Sequence, residues 1–171
     1  MKFGVGLFGM QSHGDLPYTH PEIYKNTLEQ VKLAENVNFD SVWISEHHFL
    51  PDGYCPSPAV MAAAMAVVSD RIRIGSSGII LPLHNPLRVA EDAAVADNIS
   101  NGRFDLGVVL GYRKEEFEGM GIPISQRPSR MEEGIEVLEK ALSGEQFTHE
   151  DKRFHYENAH LTPKPVQSPI P

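Results

Sequence analysis

Three ionisable residues, Glu46, His47 and His48, stand directly after an apolar run at residues 41 to 45. Histidine titrates close to neutrality, so it can take or give a proton at cellular pH, and a neighbouring carboxylate can fix its tautomer. If the run is a strand of a parallel α/β fold, these residues lie at its carboxyl end, where the ligands of such folds bind. The residue types and their position therefore favour proton-transfer chemistry at this strand end.

Two other interpretations of this cluster are a structural histidine and a metal site. A single histidine is more often structural or solvated, but three ionisable groups together at a strand end favour a function. Histidine and glutamate are zinc ligands, yet adjacent residues on a strand point to opposite faces. His47 and His48 are thus poorly placed to hold one ion, and we expect no metal here.

A second pattern is the density of small residues in the third strand candidate, GSSGII at residues 75 to 80. Glycine and serine weaken a strand, which suggests that a flat or bulky group approaches the backbone near Ser77 and Gly78. A bulge or a close helix crossing is an equally good explanation. Gly107 and Gly111 bracket the end of the fourth strand candidate in the same way, but the stretch GVVLGY at this strand end is not a GxGxxG fingerprint, and the sequence contains no P-loop motif.

The elements that must position these residues are four short β-rich runs that alternate with helical patterns, which predicts βα units and a parallel sheet. The strand candidates are residues 2 to 8, 41 to 45, 72 to 81 and 104 to 111. Thr19, Ser57 and Asn85 are placed to cap the helices that follow the first three strands. After a long loop, a fourth helix is expected from near Ser129 to a stop at Gly144.

The whole chain, 1 to 171, is predicted to form one α/β unit, with four βα units in residues 1 to 144. Residues 145 to 162 are expected to form a hairpin insertion, and the Pro-rich tail at 163 to 171 approaches a fifth strand. Four parallel strands can form an open doubly wound sheet or half of an eight-stranded barrel, and counting does not decide between them. The helix at 57 to 68 is apolar all round, which predicts contacts with the sheet and with a second subunit.

The bulk composition argues against several classes of protein. Asp and Glu total 23 against 15 Lys and Arg, a net charge of -8, and without a basic block nucleic acid is not an expected partner. No run is long and apolar enough for a signal peptide or a membrane span. Cys55 is the single cysteine, so no internal disulfide is expected and a cytoplasmic location is the simplest interpretation.

Five stretches occur in order along nearly the whole chain: MKFG, FDSVWISEHHF, IGSSGIILPLHNPLRVAEDAAVADNISNGRFDLGV, GYRKEEFEGMG and LTPKPVQ. Together they resemble the bacterial luciferase-like family of flavin-dependent monooxygenases. The resemblance implies a (β/α)8 TIM barrel, of which this chain covers roughly the first four βα units plus a β-hairpin insertion. It also implies that a flavin binds at the carboxyl ends of the strands.

For catalysis, the resemblance implies that His47 is the catalytic histidine, which transfers a proton where oxygen adds to the flavin. Glu46 and His48 match the flanking positions and are expected to orient it. The implied cofactor is reduced FMN, which reacts with O2 and a small organic substrate. F420 serves one branch of the family without oxygen chemistry, and EHHF looks more like the FMN branch.

For cofactor binding, Ser77-Gly78 matches a peptide bond that is cis in luciferase-like proteins and lies against the flavin ring. Gly111 and Tyr112 are the further cofactor-binding candidates. A flavin reductase that supplies reduced FMN is an expected partner. The apolar helix at 57 to 68 predicts a second partner, another copy of the chain that forms a homodimer.

Two departures from the family pattern limit what is implied. Val109 and Leu110 stand where the luciferase catalytic subunit has Cys and Arg, so light emission from a long-chain aldehyde is not expected. The family's phosphate-gripping loops come mainly from the second half of the barrel, which predicts weak flavin binding by this chain alone.

Four strands without further partners expose two sheet edges, so we expect part of a longer enzyme or a half that pairs with a second copy. The favoured function is the first half of a reduced-flavin monooxygenase. A non-catalytic flavin-binding or pairing subunit is one alternative. A metal-dependent barrel hydrolase that uses Glu46 and the histidines is the other.

Overall fold

The computed structural model describes residues 1 to 6, 10 to 12 and 18 to 171. Its first elements are β1 (Gly4–Gly6), α1 (His20–Asn36), β2 (Ser41–Ile44), α2 (Pro58–Val67), β3 (Arg73–Ser76), β4 (Ile79–Ile80) and α3 (Pro86–Ser100). The later elements are β5 (Phe104–Asp105), β6 (Val108–Val109), α4 (Lys114–Gly119), α5 (Arg127–Leu142), β7 (Phe147–Glu150) and β8 (His155–Ala159). The predicted first strand extends past β1 into residues 7 and 8, which lie outside the described residues.

The strands form a parallel sheet whose spatial order follows the order of the chain. Within the described residues, β1 pairs with β2, β2 with β3 and β3 with β5, all in parallel. The strand β4, which follows β3, pairs in parallel with β6, which follows β5. Helices α1, α2 and α3 make the crossovers, so the carboxyl ends of the strands meet at one edge. The predicted βα units and parallel sheet are confirmed.

The main core lies between the sheet and these helices. Val31 of α1, Val42 of β2, Met65 of α2 and Ile74 of β3 are all 0% exposed and belong to one apolar cluster. Burying a side chain of this size contributes roughly 1.5–3 kcal/mol relative to leaving it exposed. On the other face of the sheet, the indole of Trp43 occupies the space beside Gly75, where a Cβ atom would come within 2.2 Å of the ring.

The third and fourth strands are interrupted, whereas the sequence predicts continuous strands over 72 to 81 and 104 to 111. The breaks fall at the same level, between β3 and β4 and between β5 and β6. There the Ser76 hydroxyl donates to the Gly107 carbonyl and accepts from the Gly107 N–H, both at 2.9 Å. A Cβ atom on Gly107 would lie 2.1 Å from the Ser76 carbonyl oxygen. The two backbones therefore approach too closely for a regular ladder.

The segment after the fourth strand is not the plain loop that the sequence predicts. It contains the six-residue helix α4 and a 3-10 turn at Ile124–Gln126. The helix α5 then begins at Arg127 rather than near Ser129, and Gly144 follows its end with a φ of +73°. The helix α4 forms because Phe117 is fully buried against Ile80 and Leu83, a tertiary contact that six residues of sequence do not reveal.

The predicted helix caps occupy the expected positions. The Thr19 N–H donates to the Glu22 carboxylate at 2.8 Å, as the capping-box spacing predicts. The Asn85 side chain accepts from the Arg88 N–H at 3.2 Å. Ser57 is the N-cap residue of α2, although its side chain makes no capping bond. Among the described residues, no helix combines the length and the apolar character needed to cross a membrane.

The end of the chain follows the predicted order of hairpin and tail. Strands β7 and β8 pair antiparallel, and the Glu133 carboxylate of α5 accepts from the Phe154 N–H at 2.7 Å to anchor the hairpin turn. The tail runs back to the fourth strand, where the Leu106 N–H donates to the Pro171 carbonyl at 2.9 Å. Beside it lies an apolar cavity of about 560 Å³ lined in part by Leu138 and Ile170.

Candidate functional site

A cavity of about 240 Å³ opens at the carboxyl ends of three successive strands. Its lining includes the predicted site residues Glu46, His47, Ser77, Gly78, Gly111 and Tyr112. Parallel strands bring their carboxyl ends together, which explains why residues so far apart in sequence meet here. Pockets that enclose a whole drug-sized ligand measure roughly 300–1,000 Å³, so this cavity accommodates part of such a molecule.

His47 reaches the cavity with one ring nitrogen held by an acid. Its Nδ1 lies 2.8 Å from Oε1 of Glu116, a fully buried residue of α4 that also lines the cavity. The same oxygen accepts the His48 N–H at 3.0 Å. The ring packs edge-on against Tyr54, with centroids 4.7 Å apart, and the His47 N–H donates to the Cys55 carbonyl at 3.2 Å. Backbone, ring and acid together fix the imidazole.

Glu46 and His48 form a separate network, in which Glu46 lines the cavity and His48 does not. Oε1 of Glu46 lies 2.5 Å from Nε2 of His48 and 2.6 Å from Nε2 of His84, and Oε2 accepts the Ile80 N–H at 2.7 Å. Burial opposes ionisation of the Glu46 carboxylate, but its hydrogen bonds to both histidines, the charge of His84 and the Ile80 N–H lower its pKa to about 2. The structure thus pairs Glu46 with His48 and His84, and pairs His47 with Glu116.

The Glu46, His48 and His84 group is compact enough to be considered as a metal site. One ligand atom from each lies within 4.8 Å of the others. His47 and His48 pair with different acids, which agrees with the expectation that they do not share an ion. Both carboxylate oxygens of Glu46 also take part in hydrogen bonds within this group. The expectation of no metal here stays a prediction.

The peptide between Ser77 and Gly78 also lines the cavity and is cis, as the resemblance implies. The Ser77 N–H donates to the Ile44 carbonyl at 2.5 Å. A Cβ atom on Gly78 would lie 2.9 Å from both the Gly107 oxygen and Val109 Cγ1. Close packing against the fourth strand therefore accounts for the glycine, whereas the sequence analysis considered a bulge or a close helix crossing.

Gly111 and Tyr112 lie on the third side of the cavity. Gly111 has a φ of +73°, and a Cβ atom there would lie 2.6 Å from Ile80 Cγ2, so both its backbone and its surroundings favour glycine. The Arg127 guanidinium donates to the Gly111 carbonyl oxygen at 3.0 Å. Tyr112 is 71% exposed, and its ring centroid lies 6.1 Å from that of His47.

Three residues of the site escape the sequence analysis: Glu116, Tyr54 and His84. Glu116 lies on the unpredicted helix α4, 69 residues from His47, and no local spacing connects the two. His84 did carry a signal, because it is an ionisable residue just after the third strand candidate and so lies at the same edge of the sheet. Tyr54 follows the His47 segment and reaches Ser45 through its hydroxyl at 2.5 Å.

The fold and the site together define a class, an α/β protein with its ionisable residues at the carboxyl ends of parallel strands. The family follows from comparison with known proteins. The family model described as luciferase-like monooxygenase matches residues 1 to 171, and the chain belongs to this family. The resemblance inferred from the sequence is therefore confirmed.

Two curated relatives illustrate the match. The oxygenase component of the flavin-dependent trigonelline monooxygenase of Acinetobacter baylyi is 27% identical over 155 residues, which is 90% of this chain and 43% of that protein. The alkanal monooxygenase alpha chain of Photorhabdus laumondii is 32% identical over 121 residues, 71% of this chain and 33% of that protein. The chain thus spans less than half the length of these relatives.

Solved structures show the same fold. The monooxygenase RslO1 from Streptomyces bottropensis superimposes with a TM-score of 0.92 at 28% identity, over 100% of this chain and 52% of that chain. The oxygenating constituent of 3,6-diketocamphane monooxygenase from Pseudomonas putida, in complex with FMN, superimposes with a TM-score of 0.83 at 23% identity. The match covers 91% of this chain and 43% of that chain. The F420-dependent tetrahydromethanopterin reductase from Methanopyrus kandleri superimposes with a TM-score of 0.77 at 24% identity. The match covers 99% of this chain and 48% of that chain. The expected (β/α)8 barrel fold is confirmed, and this chain is a part of it.

Proposed function

We propose that the chain carries one wall of the active site of a monooxygenase that uses reduced FMN and O2 on a small organic substrate. The observation that carries the proposal is the shared cavity. His47, held by Glu116, and the Ser77–Gly78 backbone both line it. A proton-transfer group that faces a wall of bare backbone suits a flat ring that reacts at its edge.

The residues present fit a flavin ring. Gly78 and Gly111 place backbone, without side chains, at the cavity surface, and the apolar side chains of Ile80 and Val109 lie beside them. The ring of Tyr112 is exposed and free to pack against a ligand. FMN is favoured over F420 because the 28% identical structure and the 27% identical relative are both named as monooxygenases. Reduced FMN, when bound, supplies the electrons that activate O2.

The chain's own chemistry lies in His47. Its Nδ1 bonds Glu116, which leaves Nε2 as the nitrogen available to move a proton to or from a molecule in the cavity. Glu46 and His48 support this residue indirectly, because their network fixes the strand end from which His47 projects. Ile80 and Val109 reduce the access of water to the same space.

The assembly around this wall is also part of the proposal. Val60 and Val67 of α2 are 73% and 77% exposed, and Val95 and Ile99 of α3 lie exposed on the neighbouring helix. This apolar face supports a homodimer. A cytoplasmic location and a separate reductase as the source of reduced FMN complete the proposal. Sedimentation velocity tests the dimer: we expect Val67→Glu to give monomers, whereas Leu33→Glu, on the exposed side of α1, leaves the dimer intact. A monomeric parent chain would contradict the dimer.

Titration of the chain with reduced FMN under anaerobic conditions tests the cofactor. We expect saturable binding weaker than micromolar, and a several-fold loss of affinity in Tyr112→Ala but not in Tyr24→Ala, a tyrosine of α1 outside the cavity. Submicromolar affinity would contradict the weak binding expected of this chain alone. The absence of saturable binding would contradict the proposed function.

Two further measurements separate the alternatives. A His47→Ala variant that binds flavin and leaves its oxidation kinetics unchanged would favour the non-catalytic flavin-binding or pairing subunit. Stoichiometric zinc in the purified protein would favour the metal-dependent hydrolase, since Glu46, His48 and His84 are close enough to bind one ion.

A further inference from the structure

We infer that Glu116 is the positioning residue that sets the tautomer of His47, so that the imidazole presents an unprotonated Nε2 to the cavity. The part that Glu116 plays in catalysis rests on the proposed function, whereas its effect on the tautomer of His47 concerns this chain alone. Oε1 of Glu116 already accepts the His48 N–H at 3.0 Å, so this oxygen acts as a hydrogen-bond acceptor. Nδ1, 2.8 Å from Oε1 of Glu116, must then carry the ring proton.

The position of Glu116 is itself fixed by several contacts. Its Oε1 accepts the His48 N–H at 3.0 Å, which ties the acid to the residue next to His47. The neighbouring Phe117 is 0% exposed and anchors α4 in the core. The ring of Phe49 covers Gly119 at the end of the same helix, where a Cβ atom would come within 2.2 Å of it. The acid and the histidine therefore move together.

The other side of the imidazole faces the cavity. Within residues 1 to 6, 10 to 12 and 18 to 171, no group hydrogen-bonds to Nε2 of His47, and the side chain is 21% exposed. Oε2 of Glu116 is likewise without a partner in this part of the chain. The acid of Glu116 thus lies directly beside the ring, and Nε of Arg113 lies 4.0 Å from the same Oε1. An acid next to the ring is the arrangement that stabilises an imidazolium.

The chemical consequence is a direction for proton transfer. A molecule in the cavity with an acidic O–H or N–H group gives its proton to Nε2: the X–H bond breaks, the N–H bond forms, and the electron pair stays on X. The imidazolium that results is balanced by Glu116, and the reverse transfer restores the neutral ring. His47 therefore acts first as a proton acceptor at Nε2. In the opposite tautomer Nε2 carries the ring proton, so the ring would have to donate that proton before Nε2 could accept one.

The test is the tautomer of His47 in the chain labelled with ¹⁵N-histidine. Long-range ¹H–¹⁵N spectra at pH 8 distinguish Nδ1–H from Nε2–H rings, and His47→Ala assigns its signals among the eight histidines. We expect Nδ1–H in the parent chain. We expect Glu116→Ala to shift the ring towards Nε2–H, whereas Glu116→Gln restores Nδ1–H because its amide oxygen still accepts.

Glu115→Ala is the matched control, since this neighbouring acid is 69% exposed and its removal should leave the spectrum unchanged. An Nε2–H ring in the parent chain would overturn the inference without any variant. A Glu116→Ala chain that keeps Nδ1–H, or a Glu116→Gln chain that behaves like Glu116→Ala, would also overturn it. If reduced FMN fails to bind while these spectra are as expected, the proposed function fails and the assignment of Glu116 stands.

Discussion

Two histidines that are adjacent in sequence belong to opposite kinds of network. His48 lies beneath the cavity wall and shares the Glu46 carboxylate with His84, and both oxygens of that carboxylate are bonded. His47 lies at the cavity, and its acid, Glu116, keeps one oxygen without a partner among the described residues. The saturated network suits a structural role, whereas the unsaturated one leaves capacity for a ligand or a moving proton.

The comparison explains how one strand end serves both stability and chemistry. Consecutive side chains of an extended segment point to opposite sides, so His47 and His48 reach different surroundings. The bond from the His48 N–H to Glu116 links the two networks. Changes on the Glu46 side should therefore act mainly on folding, and changes on the His47 side mainly on the site.

The largest effect is expected from Glu46→Ala. The substitution leaves the Nε2 atoms of His48 and His84 and the Ile80 N–H without their acceptor, and breaking a buried pair typically costs about 3–5 kcal/mol. Urea denaturation of the parent and variant chains measures the loss. Glu118→Ala, on the exposed side of α4, is the control and should change stability by less than about 0.5 kcal/mol. If Glu46→Ala lowers the free energy of unfolding by less than 1 kcal/mol, the Glu46 network is not the structural one and the contrast with the His47 network fails.

The pH dependence of folding should report the same carboxylate. The pKa of Glu46 is about 2 in the folded chain against 4.5 for the ordinary group. Because the folded pKa is the lower one, its contribution is complete above pH 4.5 and is lost as the pH falls towards 2. At 1.36 kcal/mol per unit, the shift corresponds to about 3 kcal/mol.

Urea denaturation at pH 6 and pH 3 checks this expectation against Glu46→Gln, which lacks the titrating group. The parent chain should lose more stability than the variant between the two pH values. Equal losses would show that the bonds to Glu46 do not favour its ionised form.

A smaller effect on stability is expected from Glu116→Ala. The variant leaves Nδ1 of His47 and the His48 N–H without an acceptor, and an unsatisfied buried donor costs about 1–3 kcal/mol. The free energy of unfolding from urea titration should place this variant between the parent and Glu46→Ala. A loss as large as that of Glu46→Ala would mean that both networks are structural.

The smallest effect on stability is expected from His47→Ala. Its side chain is partly exposed, and Glu116 keeps the His48 N–H as a donor, so we expect a loss of roughly 1 kcal/mol or less. His48→Ala is the matched variant and should cost more, because it removes a buried partner of Glu46. The same urea series measures both, and the reverse order would contradict the assignment of His47 to the site.

Much of the fold follows from local patterns in the sequence. The caps at Thr19 and Asn85 and the alternation of β-rich and helical runs predict the first three crossovers, because each signal lies within one element. The sequence does not reveal where the third and fourth strands are interrupted. They depend on the approach of Ser76 to Gly107, which is a contact between strands.

The site is predictable to a similar extent. His47 is found because it follows a strand candidate directly, and strand ends converge whatever the loops do. Glu116 is missed because its helix is too short for a hydrophobic period and is stabilised by Phe117 in the core. The family resemblance predicts a catalytic role for His47, but the identity of its acid partner comes from three-dimensional contacts alone.

The shared oxygen of Glu116 has a consequence for anyone who recombines members of this family. A chimaera that exchanges the segment from Gly111 to Gln126 replaces the acid of His47 together with the loop. A graft chosen for a new substrate would then also alter the protonation of the histidine, even though the histidine itself is untouched. Such exchanges need an acid of the right reach at position 116.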